Sequence, residues 1–225
     1  MRIAVVTKHS HLYNQIASVI LPNKQEYCER HGYDFVIDRG DIDFSRPLNW
    51  TKVPAILAHL GNYDWILWSD IDTLFVDMSV RLEDFIRDDL SLVASLFKLT
   101  LRTDIEALND FGYLTYTLHT GNFLVRNDPW GWRAMRFIHQ NEEWRTHDLM
   151  DEAALTSLYR RSKDLARRVG LEDIRRFCTV PVGSRLNYIF PEYQKGDFIV
   201  HFLGREYTLE EKYEHVMKFK KEHGV

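Results

Sequence analysis

Two carboxylates one residue apart, Asp70 and Asp72, follow the apolar run Trp65-Ile66-Leu67-Trp68. Carboxylates this close repel one another unless a cation or a proton relieves them. A hard divalent cation takes oxygen ligands and can bridge such a pair to a diphosphate. The apolar run reads as a buried strand, apolar on both faces as in a parallel sheet. Ligands of open α/β sheets collect beyond the carboxyl ends of strands, which makes Ser69, Asp70 and Asp72 the foremost binding candidates. The spacing alone also describes a solvated acidic turn. A third reading makes Asp70 the nucleophile of an aspartyl phosphatase. That motif has Thr or Val two positions after the second Asp, where this chain has Leu74, with Thr73 one residue early.

Further candidates lie far along the chain. His201, in FIVHFLG, is either a core histidine bonded to backbone or a metal ligand. Gly204 and Arg205 follow it and suit phosphate, because glycine lets backbone approach and arginine pairs with oxyanions in bidentate fashion. Asp151 opens a helical pattern on the same stripe as Leu155 and Leu158, so its carboxylate either caps the helix or points into a cleft. Gly121 and Asn122, in HTGNFLVRN, offer flexible backbone and an amide suited to sugar hydroxyls, or a simple turn. Thr7 and Lys8 end the first apolar run, where the crevice rule for α/β sheets places a nucleotide base.

The elements that position these residues follow from periodicity. Strands are expected at 3–7, 33–37, 65–68, 90–97, 123–125 and 198–203. Helices are expected at 12–30 with a possible interruption at Pro22, at 51–60, 81–88 and 130–140, and as one long helix at 151–169. A last helix starts at Thr208, with Glu211 completing a capping box. Residues 98–118 read as a loop with some helix. Strands alternating with helices argue for a parallel α/β sheet.

The 225 residues are 45% hydrophobic and 28% charged with a net charge of −4, which fits one globular unit and argues against a nucleic-acid partner. No stretch reaches membrane length, so a soluble, cytoplasmic protein is expected. Cys28 and Cys178 form no C-x-x-C pair, which argues against a disulfide or a thiolate zinc site.

Taken in order, YCERHGYDFVID, NWTKVPAILAHL, WILWSDIDTLFVD, HTGNFLVRNDPW, DEAAL, RLNYIFP and VHFLGR resemble the galactosyl/xylosyl/mannosyl transferases of glycosyltransferase family 34. The resemblance implies a single GT-A domain, with a mostly parallel Rossmann-like sheet flanked by helices. Residues 1–118 would form a nucleotide-binding half, and 119–225 a half for the donor sugar and acceptor. It implies Mn2+ (or Mg2+) and retaining transfer from a nucleotide-sugar, UDP before GDP, to a glycan. By motif, Asp70, Asp72 and His201 match the metal site, Asp151 an aspartate near the donor sugar, and Lys52 and Arg205 basic residues near the donor. Glu152 stands where Gln is usual, Met150 where a second Asp is frequent, His119 where Asn is usual and Asn122 where Ser is usual. A phosphohydrolase and a non-catalytic sugar- or nucleotide-binding module are the alternatives.

Overall fold

The structure is a computed structural model that describes residues 1–98, 116–146, 149–204 and 207–225. Most of the segment expected to be a loop with some helix lies outside these residues, as does Arg205.

A six-stranded sheet runs in the order β2-β1-β3-β6-β5-β7. Its strands are β1 (Ile3–Thr7), β2 (Asp34–Ile37), β3 (Trp65–Ser69), β5 (Leu92–Lys98), β6 (Tyr116–Arg126) and β7 (Val169–Asp173). β1 pairs in parallel with β2 and β3, and β5 with β7, while β6 runs antiparallel between β3 and β5. The sheet is therefore mostly parallel and mixed. It is also continuous across residue 118, since β6 lies at its centre.

Both faces are covered, which is why β3 reads as an unbroken apolar run. Ile66 and Trp68 pack with Phe123 and Val125 beneath α2 (Lys52–His59), α3 (Pro129–Gln140) and α4 (Met150–Arg161). Trp65 and Leu67 pack on the other face with Tyr27, Phe75 and Phe198. A two-stranded sheet, β4 (Thr73–Phe75) with β8 (Ile199–His201), lies beside the main one. The chain ends in α7 (Leu209–His223), whose capping box of Thr208 and Glu211 forms as expected.

Four sequence expectations are corrected. Helix α1 (Asn14–His31) is unbroken at Pro22, because that residue is solvent-exposed and water can reach the carbonyl it leaves unpaired. It stops at Gly32, with φ 73° in the left-handed region that glycine tolerates. The helix expected at 81–88 is only a 3₁₀ turn, Leu82–Phe85. The long helix expected at 151–169 breaks at Ser162, whose hydroxyl accepts from the Leu165 amide to cap the short α5 (Lys163–Ala166). Val169 then enters β7, whose exposed Leu171 hides the strand pattern. Short α6 (Ile174–Phe177) and β4 have no periodic signal at all.

Candidate active site

β3 ends at Ser69 and the chain turns through Asp70 to Asp72 into β4. The Thr73 amide donates to the Asp70 carbonyl at 3.2 Å, closing the turn. Its ends are held from both sides: the Asp70 amide donates to the Gly121 carbonyl at 2.8 Å, and the Phe202 amide to the Asp72 carbonyl at 2.9 Å. The register of β4 against β8 sets Thr73 opposite His201. His201 Nε2 consequently lies 3.1 Å from Asp72 Oδ1 and 4.0 Å from Asp70 Oδ2. One ligand atom from each of Asp70, Asp72 and His201 falls within 4.8 Å of the others. Two carboxylates and an imidazole on a fixed backbone are a donor set that fits a divalent cation such as Mn2+ or Mg2+.

Two lysines flank this cluster. Lys52, at the start of α2, lies 3.6 Å from Asp70 Oδ1 and 2.9 Å from Asp151 Oδ2. Lys212, from α7, lies 2.7 Å from Asp72 Oδ2. Burial alone would raise the Asp72 pKa, but the Lys212 ammonium and His201 outweigh it and hold the carboxyl well below its ordinary range. Asp70 moves the other way. Burial and the Asp72 charge raise it, against the lowering effect of Lys52, His201 and the Trp68 indole, whose Nε1 donates at 2.7 Å. Burial lowers the Lys52 pKa, yet Asp151 and Asp70 win and raise it, keeping the ammonium charged.

These groups line a cleft of about 760 Å³, with Lys8, Ser10, Gly121, Gly204 and Asp151 also on its walls. Asp151 is buried, and its Oδ2 accepts from Thr120 Oγ1 at 2.5 Å as well as from Lys52. The residue before it, Met150, has φ 40°, a conformation costly for a side-chain-bearing residue and typical of functional sites.

The family model described as the galactosyl transferase GMA12/MNN10 family matches residues 3–111, which include β1, β3 and the Asp70–Asp72 turn. The chain is 25% identical to the probable alpha-1,6-mannosyltransferase MNN10 of Saccharomyces cerevisiae, over 84% of this chain and 55% of that protein. It is 22% identical to an uncharacterized alpha-1,2-galactosyltransferase of Schizosaccharomyces pombe, over 86% of this chain and 64% of the relative. Through its first half the chain is similar to the family 34 glycosyltransferases. A glycosyltransferase involved in glycosylation of the major capsid of PBCV-1 shares the fold, with a TM-score of 0.69 at 16% identity over 97% of this chain and all of that one. This GT-A chain spans a little over half to about two-thirds of the length of the curated relatives just named. Among the described residues, no helix is long and apolar enough to cross a membrane.

Within this site, several residues take places other than those their sequence suggested. Asn122 sits opposite Ser69 in the β3–β6 register, fully buried, and both ends of its amide are engaged: Oδ1 accepts from Ser69 Oγ at 2.8 Å and Nδ2 donates to the Phe177 carbonyl at 2.9 Å. It serves the floor beneath the turn and does not line the cleft. Ser69 belongs to the same floor, together with Lys24, which donates to Ser69 Oγ and, at 2.7 Å, to Thr73 Oγ1. Burial brings the Lys24 pKa down to about 7, against the pull of Asp70 and Asp72. The Lys8 ammonium is spent on Asp38 Oδ2 at 2.7 Å and on the Gly40 and Asp41 carbonyls, so it fastens the loop after β2 and leaves only its stem on the cleft wall. Thr7 is buried behind that wall.

Lys24 and Lys212 were missed because a lysine on a helix reads as solvated surface. Nothing local shows that α1 and α7 both dock on the Asp70–Thr73 turn. Gly121 is more constrained than a turn requires: a Cβ there would fall 2.5 Å from Cε1 of both His119 and His201. Gly121→Ala is expected to cost about 1–3 kcal/mol and to push His201 off the carboxylates. Thermal melts together with Mn2+ titration check this. A variant that melts and binds as the parent does would show that the two rings have room to move.

Proposed function

We propose that this chain transfers a hexose or pentose from a nucleotide-sugar to a glycan hydroxyl, with retention at the anomeric carbon, using a divalent cation held by Asp70, Asp72 and His201. The convergence of these three side chains at the floor of the cleft, from positions as distant as 70 and 201, carries the reading. Relatives named as galactosyl- and mannosyltransferases support transfer of a hexose.

UDP is the preferred nucleotide and GDP the second. Its base belongs at the carboxyl end of β1. There the buried hydroxyl Ser10 Oγ, on the cleft wall, lacks a partner among the described residues, and a ligand would satisfy it. When bound, the cation, Mn2+ before Mg2+, neutralises the diphosphate as it leaves. The chain's own groups do the rest. Lys212, 2.7 Å from Asp72 Oδ2, would share that carboxylate with the cation and add positive charge on the diphosphate's side of the cleft. Lys52 holds Asp151 and Asp70 apart at fixed positions. Asp151 faces the donor sugar, orienting a hydroxyl and countering positive charge at the anomeric carbon. Arg205 next to Gly204 is assigned to the diphosphate by its motif.

Calorimetry with UDP and with GDP, each with and without Mn2+, tests the reading. UDP is expected to bind at least about tenfold more tightly with Mn2+, and a screen of nucleotide-sugars to show slow donor hydrolysis. Binding that ignores the metal, with no donor cleavage, would favour a binding module. Hydrolysis of phosphomonoesters would favour a phosphatase.

A further inference from the structure

Helix α3 has an outer face whose composition its own packing does not require. Gly131, Ala134, Met135 and Ile138 are buried and seat the helix on the core. Trp132, Arg133, Arg136 and Phe137 lie on the other side, along an open groove of about 710 Å³. Trp130 and Trp132 pack against the margin of the core and stay half-buried, as does Phe137. The helix sequence, PWGWRAMRFIHQ, holds no carboxylate. Half-buried rings beside exposed arginines combine an apolar body with a charged rim, the mixture that suits the boundary between water and lipid.

The arginines here are held differently from others on the surface. Arg2, Arg30, Arg81 and Arg87 each pair with a carboxylate. Arg133, Arg136 and Arg168 have no carboxylate partner among the described residues and lie over indoles instead. The Cζ atoms of Arg133 and Arg168 are each 5.4 Å from the Trp130 ring centroid, and Arg136 Cζ is 5.3 Å from that of Trp132. A guanidinium laid on a ring keeps its charge and its N–H donors for another partner. Asp128 is the acidic residue on the groove wall, and its carboxylate is already engaged. Oδ1 accepts from the Trp130 and Gly131 amides at 2.9 and 2.7 Å, and Oδ2 from Ser91 Oγ at 2.7 Å. In a chain of net charge −4, this face therefore gathers cations that the chain's own carboxylates do not answer.

We infer that this face of α3 is a docking surface for a membrane whose lipids carry anionic headgroups. Charge complementarity selects an anionic partner. The three half-buried rings select a bilayer over a polyanion in water, because indole and phenyl rings favour the level of the headgroups. The register of β6 on β3 fixes where the face lies. Arg126, the residue before the groove, stands opposite Trp65 at the start of β3, while Asn122 stands opposite Ser69 at its end, next to the Asp70–Asp72 turn. Groove and cleft thus sit at opposite ends of the central strands, and a membrane seated on one leaves the other open to substrates. Docking of this kind is independent of the proposed metal site.

Sedimentation with vesicles of phosphatidylcholine alone, and of phosphatidylcholine with about a third phosphatidylserine, tests the surface, with thermal melts reporting folding. At about 0.1 M salt the parent is expected to sediment with the anionic vesicles and to stay in solution with the neutral ones; at about 0.5 M salt it should leave both. Arg133 and Arg136 are exposed, so the double variant Arg133→Glu with Arg136→Glu should fold. It should bind at least about twentyfold more weakly, the scale of two basic residues near a charged surface. Arg133→Lys with Arg136→Lys keeps the charge and should stay within a few-fold of the parent. Arg30→Glu, exposed on α1, is the control and should bind as the parent does. A parent that ignores the anionic vesicles would overturn the inference, as would equal binding to both kinds. A folded charge-reversed double variant that binds like the parent, or an equal loss in Arg30→Glu, would place the contact on another face. Retention on a sulfated polysaccharide resin without vesicle binding would also overturn it, by assigning the arginines to a polyanion in solution.

Discussion

Asp72→Asn is expected to lose metal-dependent UDP binding and at least about a thousandfold in turnover. A neutral amide cannot replace the charge that holds the cation, and Lewis-acid stabilisation of a leaving diphosphate is worth several kcal/mol, with about 1.4 kcal/mol for each factor of ten. The same change should also destabilise the fold. Asp72 Oδ2 is the partner of Lys212 at 2.7 Å, and both side chains are buried. Breaking one side of such a pair costs roughly 3–5 kcal/mol, because the other charge is left uncompensated. Loss of activity in the single variant could therefore be mere unfolding. The double variant Asp72→Asn with Lys212→Met separates the two effects: its melting temperature should return toward the parent's while metal-dependent binding and turnover stay lost. Recovery of turnover along with stability would show that Asp72 acts only as a structural partner of Lys212.

The strand that ends in Asp70 and Asp72 was legible because both faces of β3 are buried, so its sequence is apolar without a break and its polar end stands out. The same logic exposed β1, and the paired signals of Thr208 and Glu211 exposed α7. His201 was legible as a candidate only. Its meeting with Asp72 depends on β4, a strand three residues long whose Thr-Leu-Phe has no period to read. Asn122 misled for the opposite reason. An amide beside a glycine at a strand suggests ligand contact, but in an antiparallel strand at the centre of the sheet its side chain turns to the floor, where Ser69 and the Phe177 carbonyl need it. Ser162 ended the long helix because a serine hydroxyl can cap a new helix as well as sit within one, and periodicity does not distinguish the two. Lysines 24 and 212 are paired through tertiary docking, which leaves no trace in the local pattern.

Asp151→Asn should leave the cation site and nucleotide binding within a few-fold of the parent and lower turnover by about a hundredfold or more, the scale of losing one preorganised stabilising group. The position of the side chain separates the two roles its sequence allowed. A carboxylate in the first turn of a helix commonly caps backbone amides. Here Asp151 Oδ2 instead accepts from Thr120 Oγ1 and pairs with Lys52, on the wall of the cleft. Asparagine keeps the size and can still accept from both donors, but removes the charge. Lys52 would retain Asp70 at 3.6 Å, so its ammonium is not stranded, and the stability loss should stay at about 1.5–3 kcal/mol, the range for a hydrogen bond to a charged group. The effect on rate is larger in expectation because an ionised carboxylate near an anomeric carbon opposes positive charge that develops only as the glycosidic bond breaks. Binding of the ground state would not sense it. Single-turnover rates with a saturating nucleotide-sugar, measured beside UDP–Mn2+ affinity and melting temperature, make the decision. A folded variant with near-normal turnover would remove Asp151 from the chemistry and leave it as the anchor that holds Lys52 over Asp70.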